Sequence, residues 1–118
     1  MKKAFTLPTC KTCQRIFDDL QPAAHGCEIV DIKSEGIAPE DLDAMAAHAG
    51  SYEALFSRRA MKFRSMGLAD QELTEADYRR LILEEYTFLK RPVFLFDDAV
   101  TAGSAKAAVA EARERLNG

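Results

Sequence analysis

The chain has 118 residues, 47% of them apolar and 30% charged, with a net charge of −3 at pH 7. That length supports a single domain, 1–118, with its own core, and no apolar run approaches the roughly 20 residues that span a bilayer. The acidic balance argues against direct nucleic-acid binding driven by phosphate contacts, and three cysteines do not make a closed disulfide framework.

The N-terminal "MKKAFTLPT" has no long apolar stretch after its lysines, so no signal peptide is expected and the cytoplasm is the expected compartment. Lys3 to Leu7 is a short apolar-biased run closed by Pro8, which suits a strand. A helix follows from about Lys11 to Leu20, with Cys13, Ile16, Phe17 and Leu20 at helical spacing. "QPAAHG" breaks it, and "CEIVDI" reads as a second, buried strand. Strand, helix, strand is the right-handed crossover unit of parallel strands.

The middle of the chain is helical. "APEDLDAMAAHAG" has Pro39 at a helix start, acidic residues in its first turn and Gly50 as its stop. "SYEALFS" is a helical turn. "LTEADYRRLILEEY" has Thr74 as N-cap with Asp77 three residues on, a variant of the capping box, and Leu81 and Ile82 on its buried face. Beyond this, "RPVFLFDDAV" gives a third strand, a turn at Asp97-Asp98 and a short fourth strand. "SAKAAVAEARERL" closes the chain as a helix whose stripe is Ala105, Ala108, Val109, Ala112 and Leu116. The expected architecture is α/β: a βαβ half and a ββα half forming a four-stranded mixed sheet, with a helical insert at about 36–89. That is the thioredoxin-like layout.

Cys10 and Cys13 sit where the first strand hands over to the first helix. Unpaired N–H groups at a helix N-terminus favour a thiolate over a thiol. Cys10 is therefore the expected nucleophile, with Lys11 adding positive charge nearby, and Cys13 is the expected resolving thiol one turn deeper. Two other readings stay open. Cys10, Cys13, His25 and Cys27 are ligand types that zinc accepts, although "HGC" is an atypical spacing. The two cysteines could also be small packed residues. Cys27 reads as a core thiol, and neither His25 nor His48 has an identifiable partner.

Basic residues recur in "LFSRRAMKFRSMGL", with Arg58, Arg59, Lys62 and Arg64, and in "FLKRPVFLF", with Arg91 before Pro92. Charge runs of this kind are usually solvated faces. Together with "PTCKTC", these stretches resemble the arsenate reductase-like family of the thioredoxin superfamily (ArsC, Spx and YffB proteins) over nearly the whole chain. The resemblance implies that Cys10 is the reactive cysteine and that Arg91 precedes a cis proline, Pro92, facing the dithiol. It implies that Arg59 is the second arginine of an anion clamp, although Arg58 stands where the motif has threonine. It further implies a thiol–disulfide oxidoreductase with no bound cofactor or metal, acting as a monomer, with glutathione or a thioredoxin or glutaredoxin as electron donor. The alternative is an Spx-type redox-switched regulator docking on the RNA polymerase α subunit through the helical insert. Arsenate reduction itself is less favoured. The arsenate reductases carry a third arginine after the hairpin strand, whereas "FDDAVTAGSAK" has two aspartates and no arginine, an acidic hairpin expected to be a poor neighbour for a trianion-like substrate, and they generally lack a cysteine at the position of Cys13.

Overall fold

A computed structural model describes residues 2–117. They form two compact units, residues 2–36 with 91–117, and residues 37–90.

The first unit is a sheet with two helices. Strand β1 is Lys2–Thr6 and helix α1 is Lys11–Leu20; β2 is Cys27–Asp31, β3 Val93–Leu95, β4 Val100–Ala102 and α5 Lys106–Asn117. The sheet order is β2-β1-β3-β4. β1 and β2 are parallel, with Lys2 opposite Cys27 and Thr6 opposite Asp31. β1 and β3 are antiparallel, with Phe5 opposite Val93, and β4 returns antiparallel beside β3. The mixed four-stranded sheet expected from the sequence is therefore present.

Side chains alternate between the faces of a strand. On one face Ala4, Cys27, Phe94 and Phe96 join Ile16 and Leu20 of α1 and Ala112 and Leu116 of α5 in one core. Phe17 is half-buried against it, its ring 5.6 Å from that of Phe94. One expectation fails here: Ala105 is exposed. It precedes α5, and its carbonyl accepts from the Val109 N–H at 3.0 Å, so it caps the helix rather than lining its buried stripe.

The second unit holds α2 (Pro39–Ala49), α3 (Met61–Ser65) and α4 (Glu75–Glu84), joined by short 3-10 turns. Gly50 ends α2 at φ 96°, a left-handed conformation that glycine adopts without a Cβ clash, and its N–H reaches the Ala46 carbonyl at 2.8 Å. α4 begins with a full capping box. Thr74 Oγ1 accepts from the Asp77 N–H at 3.2 Å, and Asp77 Oδ2 accepts from the Thr74 N–H at 2.9 Å. Thr74→Ala is expected to cost about 1 kcal/mol of stability, read as a lower urea midpoint at unchanged slope.

The unit is closed by backbone ties. Ser57 N–H donates to the Phe88 carbonyl at 2.6 Å and Lys90 N–H to the Leu55 carbonyl at 2.8 Å. Around them Phe56 stacks on Phe88 at 4.9 Å and meets Tyr78 and Phe63 edge-on at 4.9 and 5.9 Å. Surface carboxylates add further links. Asp43 accepts from Arg79 and from the Tyr52 hydroxyl, and Glu85 pairs with Lys62 at 2.8 Å. These partners hold both acids below the usual carboxylate range. Their contribution is present at neutral pH and is lost as pH falls through those lowered values. Among the described residues no helix is long and apolar enough to cross a membrane.

Candidate active site

Helix α1 starts at Cys10, whose backbone is extended (φ −89°, ψ 112°) as an N-cap must be. The loop into it is pinned by the Cys10 N–H to the Leu7 carbonyl at 2.9 Å and by the Gln14 side-chain amide to the Pro8 carbonyl. The helix has no conventional side-chain cap. The Cys13 N–H, in its first turn, helps to lower the Cys10 pKa.

The two thiols differ sharply. Cys10 is partly exposed, and Cys13 is 0% exposed. Burial opposes ionisation of Cys10, but the Cys13 N–H, the Cys13 thiol and the charge and hydrogen bond of Arg91 outweigh it, so its pKa lies below the ordinary thiol value. Cys13 goes the other way. Burial pushes it up, the Cys10 sulfur adds to that, and donors from Leu7 and Thr6 only partly offset it. One thiol is thus poised to ionise and its neighbour to stay protonated.

Arg91 stands at the head of β3, beside the Cys10 sulfur. The Arg91–Pro92 bond is cis, and the Pro92 carbonyl accepts from the Gly103 N–H at 2.9 Å. Lys11 is exposed in the first turn of α1, and Arg91 lowers the Cys10 pKa through its charge and a hydrogen bond.

The zinc grouping does not assemble. Cys27 pairs in register with Lys2, whereas Cys10 follows the far end of β1, so the two lie a strand length apart, on the order of 13 Å. Among the described residues no three His, Cys, Asp or Glu side chains cluster to hold a metal ion. Cys27 packs in the core, its pKa raised by burial.

Arg59 lies in the second unit, exposed in a turn, without a hydrogen bond or ion pair among the described residues. Its neighbours are engaged. Arg58 pairs with Glu53 at 2.8 Å, donates to the Tyr78 hydroxyl at 2.9 Å and lies 5.8 Å from the Tyr78 ring centre. Arg58 and Lys62 therefore brace the fold.

The hairpin needs a correction. β3 starts at the thiol end of the sheet and runs away from it, so Asp97 and Asp98 sit at the opposite end, roughly 20 Å from Arg91 along the strand. They are not neighbours of Cys10, and Asp98 pairs instead with Arg115 at 3.6 Å. The segment that returns to the thiol end after β4 is Gly103, Ser104 and Ala105, and it brings no arginine.

Sequence reading missed Thr6. It is buried, and its side chain hydrogen-bonds Cys13. The available signal was the alternation of β1, which puts Thr6 on the same face as Ala4.

The sequence model of the ArsC family matches residues 5–112. A comparison with curated proteins finds no significant match. Among solved structures, the chain is similar to an arsenate reductase (ArsC) related protein from Brucella melitensis, at 25% identity and TM-score 0.66, covering 90% of this chain and 88% of that one. It is also similar to a YFFB protein, at 24% identity and TM-score 0.74, with 95% and 98% covered. An arsenate reductase from Vibrio cholerae shares the fold at 14% identity and TM-score 0.78, with 93% and 95% covered.

Proposed function

This chain belongs to the ArsC family, and on that premise we propose that it is a thiol–disulfide oxidoreductase with Cys10 as nucleophile and Cys13 as resolving thiol. The observation that carries this reading is the geometry of the pair: Cys10 partly exposed at the N-cap of α1, and Cys13 fully buried one turn deeper on the same helix.

The chemistry proceeds in two exchanges. The Cys10 thiolate attacks one sulfur of a disulfide R–S–S–R′; that S–S bond breaks, R′S⁻ leaves, and Cys10 is joined to RS. Cys13 then gives its proton to the departed thiolate or to water and attacks the Cys10 sulfur. The Cys10–SR bond breaks, RS⁻ leaves, and a Cys10–Cys13 disulfide forms. The substrate gains two electrons and the protein loses two. Two glutathione molecules or one thioredoxin dithiol restore the protein, in a reducing compartment such as the cytoplasm. Arg91, beside Cys10, binds the anionic part of the substrate, and the family resemblance gives Arg59 a role in substrate binding. Lys11 and Pro92 border the same substrate site.

The test is turnover of a glutathionylated protein, coupled to NADPH through either the glutathione or the thioredoxin system. Turnover with one of them supports the reading; none with either overturns it. Arsenate-dependent oxidation of glutathione is not expected, because the segment 103–105 supplies no arginine. A second reading, a redox switch docking on the RNA polymerase α subunit, draws on the same Cys13 thiol; co-purification of the oxidised protein with that subunit supports it.

Arg91→Gln removes the charge beside Cys10, so the midpoint of Cys10 alkylation moves up in pH. The thiolate fraction falls as pH drops through the midpoint, so the variant alkylates severalfold more slowly at pH 7. Arg59→Ala raises KM for the glutathionylated substrate and leaves that midpoint in place. Iodoacetamide rates across pH, beside the coupled assay, separate the two effects.

A further inference from the structure

Thr6 is only 8% exposed, at the end of β1. Strand alternation places it on the face of Ala4, whose side chain belongs to the core under α1 and α5. Cys13 is fully buried on α1, one turn before Ile16, which packs in that core. The Thr6 side chain and the Leu7 backbone N–H both reach the Cys13 sulfur. A buried hydroxyl needs a partner, and the partner here is the sulfur that must attack in the second exchange.

We propose that Thr6 is a positioning residue for the resolving step, its hydroxyl donating to Cys13 Sγ as that sulfur becomes the attacking thiolate. The proposal rests on the dithiol reading above. While Cys10 is ionised, burial and the Cys10 sulfur both keep Cys13 protonated. Once Cys10 is bound in a mixed disulfide, its negative charge is gone. Thr6 and Leu7 then act on Cys13 without that opposing charge, and only the Thr6 donor can be removed by changing a side chain. The first exchange therefore releases Cys13 for the second, and Thr6 determines how far it is released.

The experiment uses the reduced full chain with excess dithiobis(nitrobenzoate), followed by stopped-flow absorbance of the released thionitrobenzoate. Attack by Cys10 releases the first equivalent. Attack by Cys13 on the mixed disulfide releases the second, which Cys13→Ser removes. Thr6→Val, nearly isosteric, is expected to slow the second phase about tenfold and move its pH profile upward, because it deletes a hydrogen bond to a charged group. The first phase stays within about twofold of wild type, which also reports an intact fold. Thr6→Ser restores the second phase. A second phase in Thr6→Val as fast as wild type overturns the proposal, as does a Thr6→Ser variant as slow as Thr6→Val. If wild type shows no second phase that Cys13→Ser removes, the resolving role of Cys13 itself fails, and the role of Thr6 fails with it.

Discussion

Cys10→Ser abolishes disulfide turnover, by about a thousandfold or more, in the coupled assay with either electron donor. The size of the loss follows from three features of the site. A serine hydroxyl in the same N-cap position is not ionised at neutral pH, because the Cys13 N–H and Arg91 can shift a thiol into range but not an alcohol. An oxygen cannot enter a disulfide, so the covalent intermediate is lost along with the nucleophile. No other thiol substitutes: Cys13 is fully buried with a raised pKa, and Cys27 is packed in the core at the other end of β1. Cys13→Ser behaves differently. Its first exchange survives, so Cys10 accumulates as a mixed disulfide, visible as a mass increment equal to the substrate thiol. A Cys10→Ser protein that keeps turning over would remove the nucleophile from the mechanism.

What the sequence disclosed about this site was mostly local. A C-x-x-C at a strand-to-helix transition is a short-range feature, and the helix N-terminus needs only α1 to exist. The capping box of α4 was legible for the same reason, since its donors and acceptors lie three residues apart. Facts that depend on strand direction were harder. Asp97 and Asp98 follow the strand headed by Arg91, and proximity in sequence suggested proximity in space; the antiparallel pairing of β3 with β1 sends them to the other end of the sheet. Arg58 reads as a solvated charge because its partner Tyr78 is twenty residues away. Thr6 reads as an ordinary β-branched strand residue until α1 is laid over it. In each case the missing information was which distant element lies beside the residue, which periodicity does not encode.

Phe56→Ala is expected to destabilise the helical unit by about 3–5 kcal/mol, a large share of the roughly 5–15 kcal/mol that holds a typical domain together. Phe56 is 1% exposed and touches three aromatic rings, so truncation forfeits both its buried area and its ring contacts. Little can collapse into the space, because residues 56 and 89 are bridged through their backbones and Ser57 and Lys90 are tied on either side. Phe56→Leu, which leaves a smaller cavity, recovers much of the loss. Urea titration by circular dichroism gives the size of the effect. The thiol chemistry supplies a separate readout. Cys13 and Arg91, the groups that most lower the Cys10 pKa, belong to the sheet unit. The pH midpoint of Cys10 alkylation therefore stays where it is in Phe56→Ala below the urea transition. A midpoint that moves with the stability of the helical unit would show that Cys10 draws part of its activation from residues 37–90.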